Sequence, residues 1–229
     1  MSGPVLNTFA SSAELASALA SKTATHLRSA IASSQLARLV VSGGRTPLRF
    51  FAELRSEDLD WASIRVFLAD ERWVPATSER SNAAFVKEHL LPAEAHFSEL
   101  YGTDLKPQEA ASALANDVAG MDRPFDAVIL GMGKDGHTAS LFPDAPEIAQ
   151  ALSPGADAAI VLSPTSQPEL RLSLTPRALI NTNFLALHIE GTDKRTVYNA
   201  AMGNGPEAEM PVRAILRNDI QATQVYWCP

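Results

Sequence analysis

The sequence predicts an α/β fold: one domain spanning residues 1–229, with a largely parallel, doubly wound, Rossmann-like sheet and helices on both of its faces. Short apolar runs alternate along the chain with segments of helical length, and this alternation is typical of a parallel sheet covered by helices. The chain has 229 residues, 46% of them hydrophobic, which suffices for one sizeable core. No internal repeat divides it.

The elements are predicted from periodicity. In residues 14–31, apolar side chains recur at helical spacing behind Ser11 and Ser12, which suit a helix N-cap. Short apolar runs predict strands at 36–41, 64–69, 127–130, 158–162, 184–189 and 224–227. Further segments of helical length are 47–54, 82–90, 108–119, 176–180 and 193–201. Residues 203–211, GNGPEAEMP, predict an exposed, turn-rich loop.

Composition excludes several classes of protein. The formal net charge is -7 and the pI about 5.2, whereas nucleic-acid and membrane-surface binders carry a basic excess. Cys228 is the only cysteine, so the chain cannot form an internal disulfide. The sequence shows no export signal and no apolar run long enough to cross a bilayer. We therefore expect a cytoplasmic protein with neither a membrane nor a nucleic-acid partner.

A candidate phosphate site follows the first predicted strand of the sheet, in LVVSGGRTP, residues 39–47. Pro47 favours a helix start, and backbone amides and hydroxyls before a helix N-terminus can cradle a phosphate. The candidate ligands are Ser42, Gly43, Gly44, Arg45 and Thr46. The alternative is a tight turn whose glycines serve geometry alone. The pattern is not a Walker loop, because the lysine of GxxxxGK(S/T) is missing.

The next predicted strand also ends in polar residues, in FLADERWVP, residues 67–75. Arg72 is suited to a bidentate contact with phosphate, and Asp70 and Glu71 to accepting sugar hydroxyls. Since ligands of open α/β sheets bind at the carboxyl ends of strands, these charges are binding candidates. The alternative is that they are solvated loop charges.

The most informative segment is DAVILGMGKDGHTASLFP, residues 126–143, where an apolar strand enters a glycine-rich turn. His137 is a candidate general base and Asp135 its orienting partner. The alternative is an ordinary packed or surface imidazole. Ser140 is a weak nucleophile candidate, because GHTAS is not a GxSxG elbow. The other four histidines show no ligand spacing, so we expect no metal.

The same glycines formally satisfy GxGxxG, the dinucleotide fingerprint. That motif should open a long helix and be followed by an acid at the end of the next strand. Pro143 interrupts the segment, and Asp157 precedes the next predicted strand instead of ending it. Dinucleotide binding is therefore the weaker interpretation.

The combination of SGGRTP, DERWVP followed by SNAAF, and GMGKDGHTASLFP resembles bacterial 6-phosphogluconolactonases over essentially the whole chain. RLSLTPRALIN (171–181) and GTDKRTVYNAA (191–201) match later motifs of that family. The resemblance implies hydrolysis of 6-phospho-D-glucono-1,5-lactone in the oxidative pentose phosphate pathway, with His137 activating water. It also implies that Arg171 and Lys194 add positive charge for the phosphate, alongside Arg72.

The resemblance implies no cofactor and no metal, and we expect a monomer or weak homodimer. SGGxTP is shared with the related glucosamine-6-phosphate deaminases, so a deaminase or isomerase of the same fold is an alternative. In those enzymes a glutamate lies five residues after the histidine, where this chain has Phe142. The other alternative is a non-catalytic sugar-phosphate-binding protein, which usually carries a DNA-binding module that is not evident here.

Overall fold

The computed structural model describes residues 3–101 and 105–229. In chain order, the strands are β1 (Val5–Thr8), β2 (Ala37–Val41), β3 (Ile64–Leu68), β4 (Asp70–Arg72), β5 (His96–Ser98), β6 (Ala127–Leu130), β7 (Ala159–Leu162), β8 (Arg171–Leu174), β9 (Leu185–Glu190) and β10 (Gln224–Cys228). Seven of them form the main sheet, in the order β1-β10-β9-β6-β2-β3-β5. All neighbours in this sheet run parallel, so the predicted fold class is confirmed.

The sheet is doubly wound about β2 and β6. From β2 the chain proceeds to β3 and β5 on one side, and then returns to β6 and continues to β9 and β10 on the other. The strand order therefore reverses between β2 and β6, and such a switch point opens a crevice at the carboxyl ends of the strands. Every residue of β6 is buried. Because successive side chains of a strand point to opposite faces, both faces of the sheet are covered there.

The helices are α1 (Ser12–Ser34), α2 (Leu48–Ser56), α3 (Asn82–His89), α4 (Pro107–Ala119), α5 (Ile148–Ala151), α6 (Pro176–Leu179), α7 (Thr192–Met202) and α8 (Val212–Leu216), with single 3₁₀ turns at Trp61–Ser63 and Glu207–Glu209. Ser11 caps α1, since its hydroxyl accepts the Glu14 N–H at 3.3 Å. The predicted helix at 14–31 is thus confirmed and slightly longer. Helix α2 begins one residue after its predicted start, with Pro47 as the N-cap residue.

A second, three-stranded antiparallel sheet, β4-β8-β7, was not predicted. Residues 158–162 form a strand as expected, but this strand belongs to the second sheet. Residues 70–72, which the sequence predicts to be charges beyond the end of a strand, form β4 and pair with β8. The charged composition of β4 is not typical of a strand. Its hydrogen bonds are made with β8, which lies far along the chain.

Other differences lie at the edges of the fold. Strands β1 and β5 end the main sheet, and neither was predicted, nor were the short helices α5 and α8. Residues 203–211 are largely exposed and rich in turns, as predicted, with the 3₁₀ turn inside them. No helix in the described parts of the chain is long and apolar enough to cross a membrane.

Candidate active site

A cavity of about 330 Å³ lies at the carboxyl ends of β2 and β6, at the switch point of the sheet. It brings together most of the predicted site residues. Those that line it are Ser42, Gly43, Gly44, Thr46, Asp70, Arg72, His137, Arg171 and Lys194. Arg45 is exposed and Asp135 contacts His137 instead, and neither side chain is part of the lining.

The loop after β2 forms one wall of the cavity. Gly44 adopts a φ of 94°, a conformation that glycine adopts without strain. Gly43 packs so closely on Asn82 that a Cβ there would overlap the amide of that side chain. The Ser42 hydroxyl oxygen is buried and has no hydrogen-bond partner within the described residues. A buried polar group without a partner is costly, so this oxygen is suited to meeting a ligand.

Arg72 and Arg171 form a cationic wall. They are paired residues of the antiparallel strands β4 and β8. Arg171 is 3% exposed, and its Nη2 donates to Gln167 Oε1 at 2.7 Å. Burial, and next the nearby charge of Arg72, lower the pKa of the Arg171 guanidinium. A buried guanidinium beside a half-buried one, both lining the cavity, creates a site that favours an anion.

Glu71 does not line the cavity, contrary to its predicted contact with sugar hydroxyls. It is fully buried, and its carboxylate accepts the backbone N–H groups of Asn82 and Ala83 at 2.7 Å each. These N–H groups begin α3, so Glu71 holds the helix N-terminus. Burial raises the pKa of Glu71, while the hydrogen bonds from these amides act to lower it.

Asp70 lies in the cavity wall and is 7% exposed. Its Oδ2 accepts the Ser140 hydroxyl at 2.5 Å, and its carbonyl accepts Asn82 Nδ2 at 2.9 Å. Ser140 is itself fully buried, and Ser173 Oγ accepts its N–H at 3.2 Å. Ser140 is therefore a donor to Asp70 in this arrangement, and no imidazole among the described residues is hydrogen-bonded to its hydroxyl.

His137 and Asp135 form a close pair. Asp135 Oδ1 lies 2.6 Å from His137 Nδ1 and also accepts the His137 N–H at 3.1 Å. Burial acts to raise the pKa of Asp135, but the hydrogen bonds and charge of His137 outweigh it, so the pKa is lowered. An ionised Asp135 fixes the Nδ1–H tautomer. Nε2 then remains as the acceptor, and no described residue hydrogen-bonds to it.

Gly133 and Gly136 make this pair possible. A Cβ on Gly133 would overlap the imidazole of His137 and the carboxylate of Asp135. Gly136 has a φ of 81°. The turn closes through the Gly133 N–H, which donates to the His137 carbonyl at 2.8 Å. The next helix, α5, begins only at Ile148 and has a single turn, so the helix required by the dinucleotide fingerprint is not present in this segment.

Lys194 lies at the start of α7, and its Nζ donates to the Met132 carbonyl at 2.7 Å. Burial, outweighing the attraction of Asp135, lowers the pKa of the Lys194 amine. Lys194 thus contacts the backbone that leads into the His137 turn and also faces the cavity.

The sequence motifs assigned no site role to five polar or aromatic lining residues: Phe51, Asn82, Phe142, Gln167 and His188. The Phe142 ring stacks on His137, with centroids 4.1 Å apart and planes inclined by 29°. His188 Nε2 pairs with Glu190 Oε1 at 2.8 Å. Two signals were available: Phe142, by contrast with the glutamate of the deaminases, and Asn82, which lies in the SNAAF motif. No group of three or more His, Cys, Asp or Glu side chains in residues 3–101 and 105–229 is arranged to hold a metal ion.

Comparison with known proteins identifies the class. Residues 10–227 match the family described as glucosamine-6-phosphate isomerases/6-phosphogluconolactonase, and the chain belongs to that family. The resemblance predicted from the motifs is thereby confirmed. Its relatives include the 6-phosphogluconolactonase of Rhizobium meliloti, 40% identical over 98% of each chain, and that of Mesorhizobium japonicum, 43% identical over 97% of this chain and 94% of the relative.

Solved structures agree with this assignment. A 6-phosphogluconolactonase from Shewanella baltica superposes with a TM-score of 0.93 at 37% identity, covering 99% of this chain and 98% of the other. A monomeric glucosamine-6-phosphate deaminase superposes with a TM-score of 0.78 at 15% identity, covering 97% and 96%. The second likeness shows only the fold.

Proposed function

We propose that this protein hydrolyses 6-phospho-D-glucono-1,5-lactone to 6-phospho-D-gluconate, the second step of the oxidative pentose phosphate pathway. The relatives named 6-phosphogluconolactonase support the reaction. The observation that carries the mechanism is the pairing of His137 Nδ1 with Asp135 at 2.6 Å. It leaves Nε2 of a cavity-lining imidazole as the available base.

In the proposed reaction, water attacks the lactone carbonyl carbon while His137 Nε2 takes one proton from it. A bond forms between the water oxygen and that carbon, and the bond from the carbon to the ring oxygen then breaks. The imidazolium returns the proton to the ring oxygen, which becomes a hydroxyl of the product, while the second water proton stays on the new carboxyl group and is released to solvent as that group ionises. Asp135 stabilises the transient imidazolium, because a carboxylate beside it favours the charged form.

The phosphate is held at a distance from the reacting carbon. Arg72 and Arg171 supply charge, and the loop after β2 supplies backbone amides and the Ser42 and Thr46 hydroxyls. The position of Arg45 leaves only its backbone N–H for this role. Binding energy from the remote phosphate then fixes the lactone carbonyl against His137, which converts binding into rate. Asp70 is proposed as a substrate-binding or architectural group, not as a proton carrier.

Phe142 distinguishes hydrolysis from deamination. It is 5% exposed and stacks on the His137 ring, where the deaminases are expected to place a glutamate. A phenyl ring cannot take part in the proton transfers that sugar ring opening and deamination require. The Phe142 ring packs against the His137 imidazole instead.

A pair of assays tests the function. Freshly generated 6-phosphogluconolactone, at mildly acidic pH where its spontaneous hydrolysis is slow, should disappear far faster with the protein than without it. Glucosamine 6-phosphate should release no ammonia under matched conditions. Ammonia release without lactone hydrolysis would assign the protein to the deaminases, and activity on neither would favour a non-catalytic binder. Cytoplasmic location and a monomer or weak homodimer stay predictions, the latter checked by light scattering.

A further inference from the structure

Arg213 is a buried arginine outside the cavity. It lies in α8 and is 4% exposed. Its guanidinium donates hydrogen bonds to backbone carbonyls at the end of α7 and in the loop 203–211. The acceptors are Ala201 O (3.3 Å from Nε), Pro206 O (2.9 Å from Nη1), and Ala200 O and Asn204 O (3.3 and 3.1 Å from Nη2). Arg213 is therefore the buried anchor of this loop, since a buried guanidinium without acceptors would be costly. The exposed Arg217 adds two hydrogen bonds to the same loop, to Gly203 O at 2.7 Å and Gly205 O at 2.8 Å.

The turn-rich composition of the loop fits this arrangement. Gly205 has a φ of 132°, and a Cβ on it would lie 2.5 Å from Arg213 Nη1. The chain therefore passes directly over the guanidinium at a position where only glycine fits. The loop is largely exposed to solvent, and its backbone is hydrogen-bonded to the buried Arg213 side chain.

The anchored loop contacts the turn that carries His137. A Cβ on Gly136 would lie 2.9 Å from Met210 Cε, so the Met210 side chain covers this glycine closely. The Val212 N–H donates to the Gly136 carbonyl at 2.9 Å. Gly136 directly precedes His137, so both contacts act on the backbone that sets the direction of the imidazole.

The same segment also holds the other end of the turn. Lys194, at the start of α7, donates to the Met132 carbonyl at 2.7 Å. Arg213 binds the last turn of α7 through the carbonyls of Ala200 and Ala201. Helix α7, the loop and α8 thus contact the turn at both ends, at Met132 and at Gly136. Arg213 connects these three elements through its hydrogen bonds.

We propose that Arg213 is a positioning residue for catalysis. Acting through Met210 and Gly136, it keeps the His137 ring oriented toward the cavity. This inference rests on the proposed lactone hydrolysis. Arg213 touches neither the cavity nor any group that binds substrate, so its effect falls on the chemical step. A loose general base lowers kcat while leaving phosphate binding, and hence KM, nearly unchanged.

The experiment compares Arg213→Met and Met210→Ala with a control, Arg38→Met. Arg38 is also largely buried and donates to the Arg123 carbonyl at 3.1 Å, but it lies at the amino end of β2, away from the site. Below the unfolding temperature, kcat of Arg213→Met should fall roughly tenfold with KM changed less than about twofold. Met210→Ala should change kcat in the same direction. Arg38→Met should lower stability without changing kcat.

A second readout does not require turnover. In wild-type protein the His137 Nδ1–H proton should give an NMR signal shifted downfield by its bond to Asp135, and this signal should move or broaden in both variants but not in Arg38→Met. A folded Arg213→Met with wild-type kcat and an unchanged signal would overturn the proposal. If Arg213→Met does not fold, Met210→Ala decides alone. An inactive wild type would refute the proposed function, and the signal would still test the positioning.

Discussion

Arg72 and Arg171 lie directly opposite each other in the antiparallel pair of β4 and β8. Like charges in that position destabilise a sheet, and the Nε atom of each is buried without a partner among the described residues. Both side chains face the cavity. We therefore expect an anion between the two guanidinium groups to stabilise the arrangement.

An anion should therefore stabilise the protein through this pair. Inorganic phosphate should raise the Tm of the wild type, because a ligand that binds only the folded state shifts unfolding by mass action. Arg72→Met should lose most of that shift and raise KM for the lactone by roughly 10- to 100-fold, the loss expected for a hydrogen bond to a charged group.

The matched control is Arg65→Met. Arg65 pairs with Asp117 at 2.7 Å and does not line the cavity, so its removal should leave both the phosphate shift and KM unchanged. Equal phosphate shifts in wild type and Arg72→Met, measured by differential scanning fluorimetry, would exclude Arg72 as a phosphate ligand.

Gly133→Ala should inactivate the protein without unfolding it. The added methyl group would overlap the His137 ring and the Asp135 carboxylate, and the flexible side chains would move before the backbone does. We expect kcat to fall by about 100-fold, because a displacement of the base by about 1 Å has that effect. Gly155→Ala is the control, since no atom lies within 4 Å of a Cβ there. Wild-type kcat in Gly133→Ala would mean that the pair is not needed.

The lowered pKa of Asp135 gives a prediction about pH. Because its folded pKa lies below its unfolded value, Asp135 stabilises the fold above the unfolded pKa, and this contribution is lost as pH falls through the folded pKa. In His137→Gln the charge partner is gone and burial remains, so the Asp135 pKa should rise. Carboxyl ¹³C NMR titration measures it, and an identical midpoint in the two proteins would refute the charge coupling.

Ser140→Ala should retain turnover within about 100-fold of wild type, because Ser140 serves as a hydrogen-bond donor to the Asp70 carboxylate, and a hydrogen bond to a charged group contributes about 1.5–3 kcal/mol. A nucleophilic serine would instead be indispensable. Steady-state kinetics distinguish the two, and a loss of several thousandfold would require a covalent mechanism in place of direct attack by water.

Local motifs allowed much of the site to be predicted. The loops after β2 and β6 each follow a buried apolar run, and the rule that ligands bind at strand ends suffices to place His137 and Ser42 together. The main sheet was predictable for the same reason. Its edge strands and the second sheet were not, since their few residues depend on distant partners for their hydrogen bonds.

Glu71 illustrates what the sequence could not show. Interpreted as a loop, residues 70–72 form one charged cluster facing a ligand. As residues of strand β4, their side chains point alternately to opposite faces of the sheet. Asp70 and Arg72 therefore face the cavity, while Glu71 points away and binds the N-terminus of α3. Likewise, the pairing of Arg72 with Arg171 joins two motifs whose proximity exists only in the folded chain.

The proposed mechanism depends most on His137 as the general base of lactone hydrolysis. The most direct test is kcat of His137→Ala on 6-phosphogluconolactone, together with the Kd for 6-phosphogluconate by calorimetry, and His96→Ala, on the edge strand β5, as the control. Loss of a general base should lower kcat by roughly 100- to 10,000-fold, with Kd nearly unchanged and the control fully active. Turnover by His137→Ala at the wild-type rate would show that His137 is not the general base.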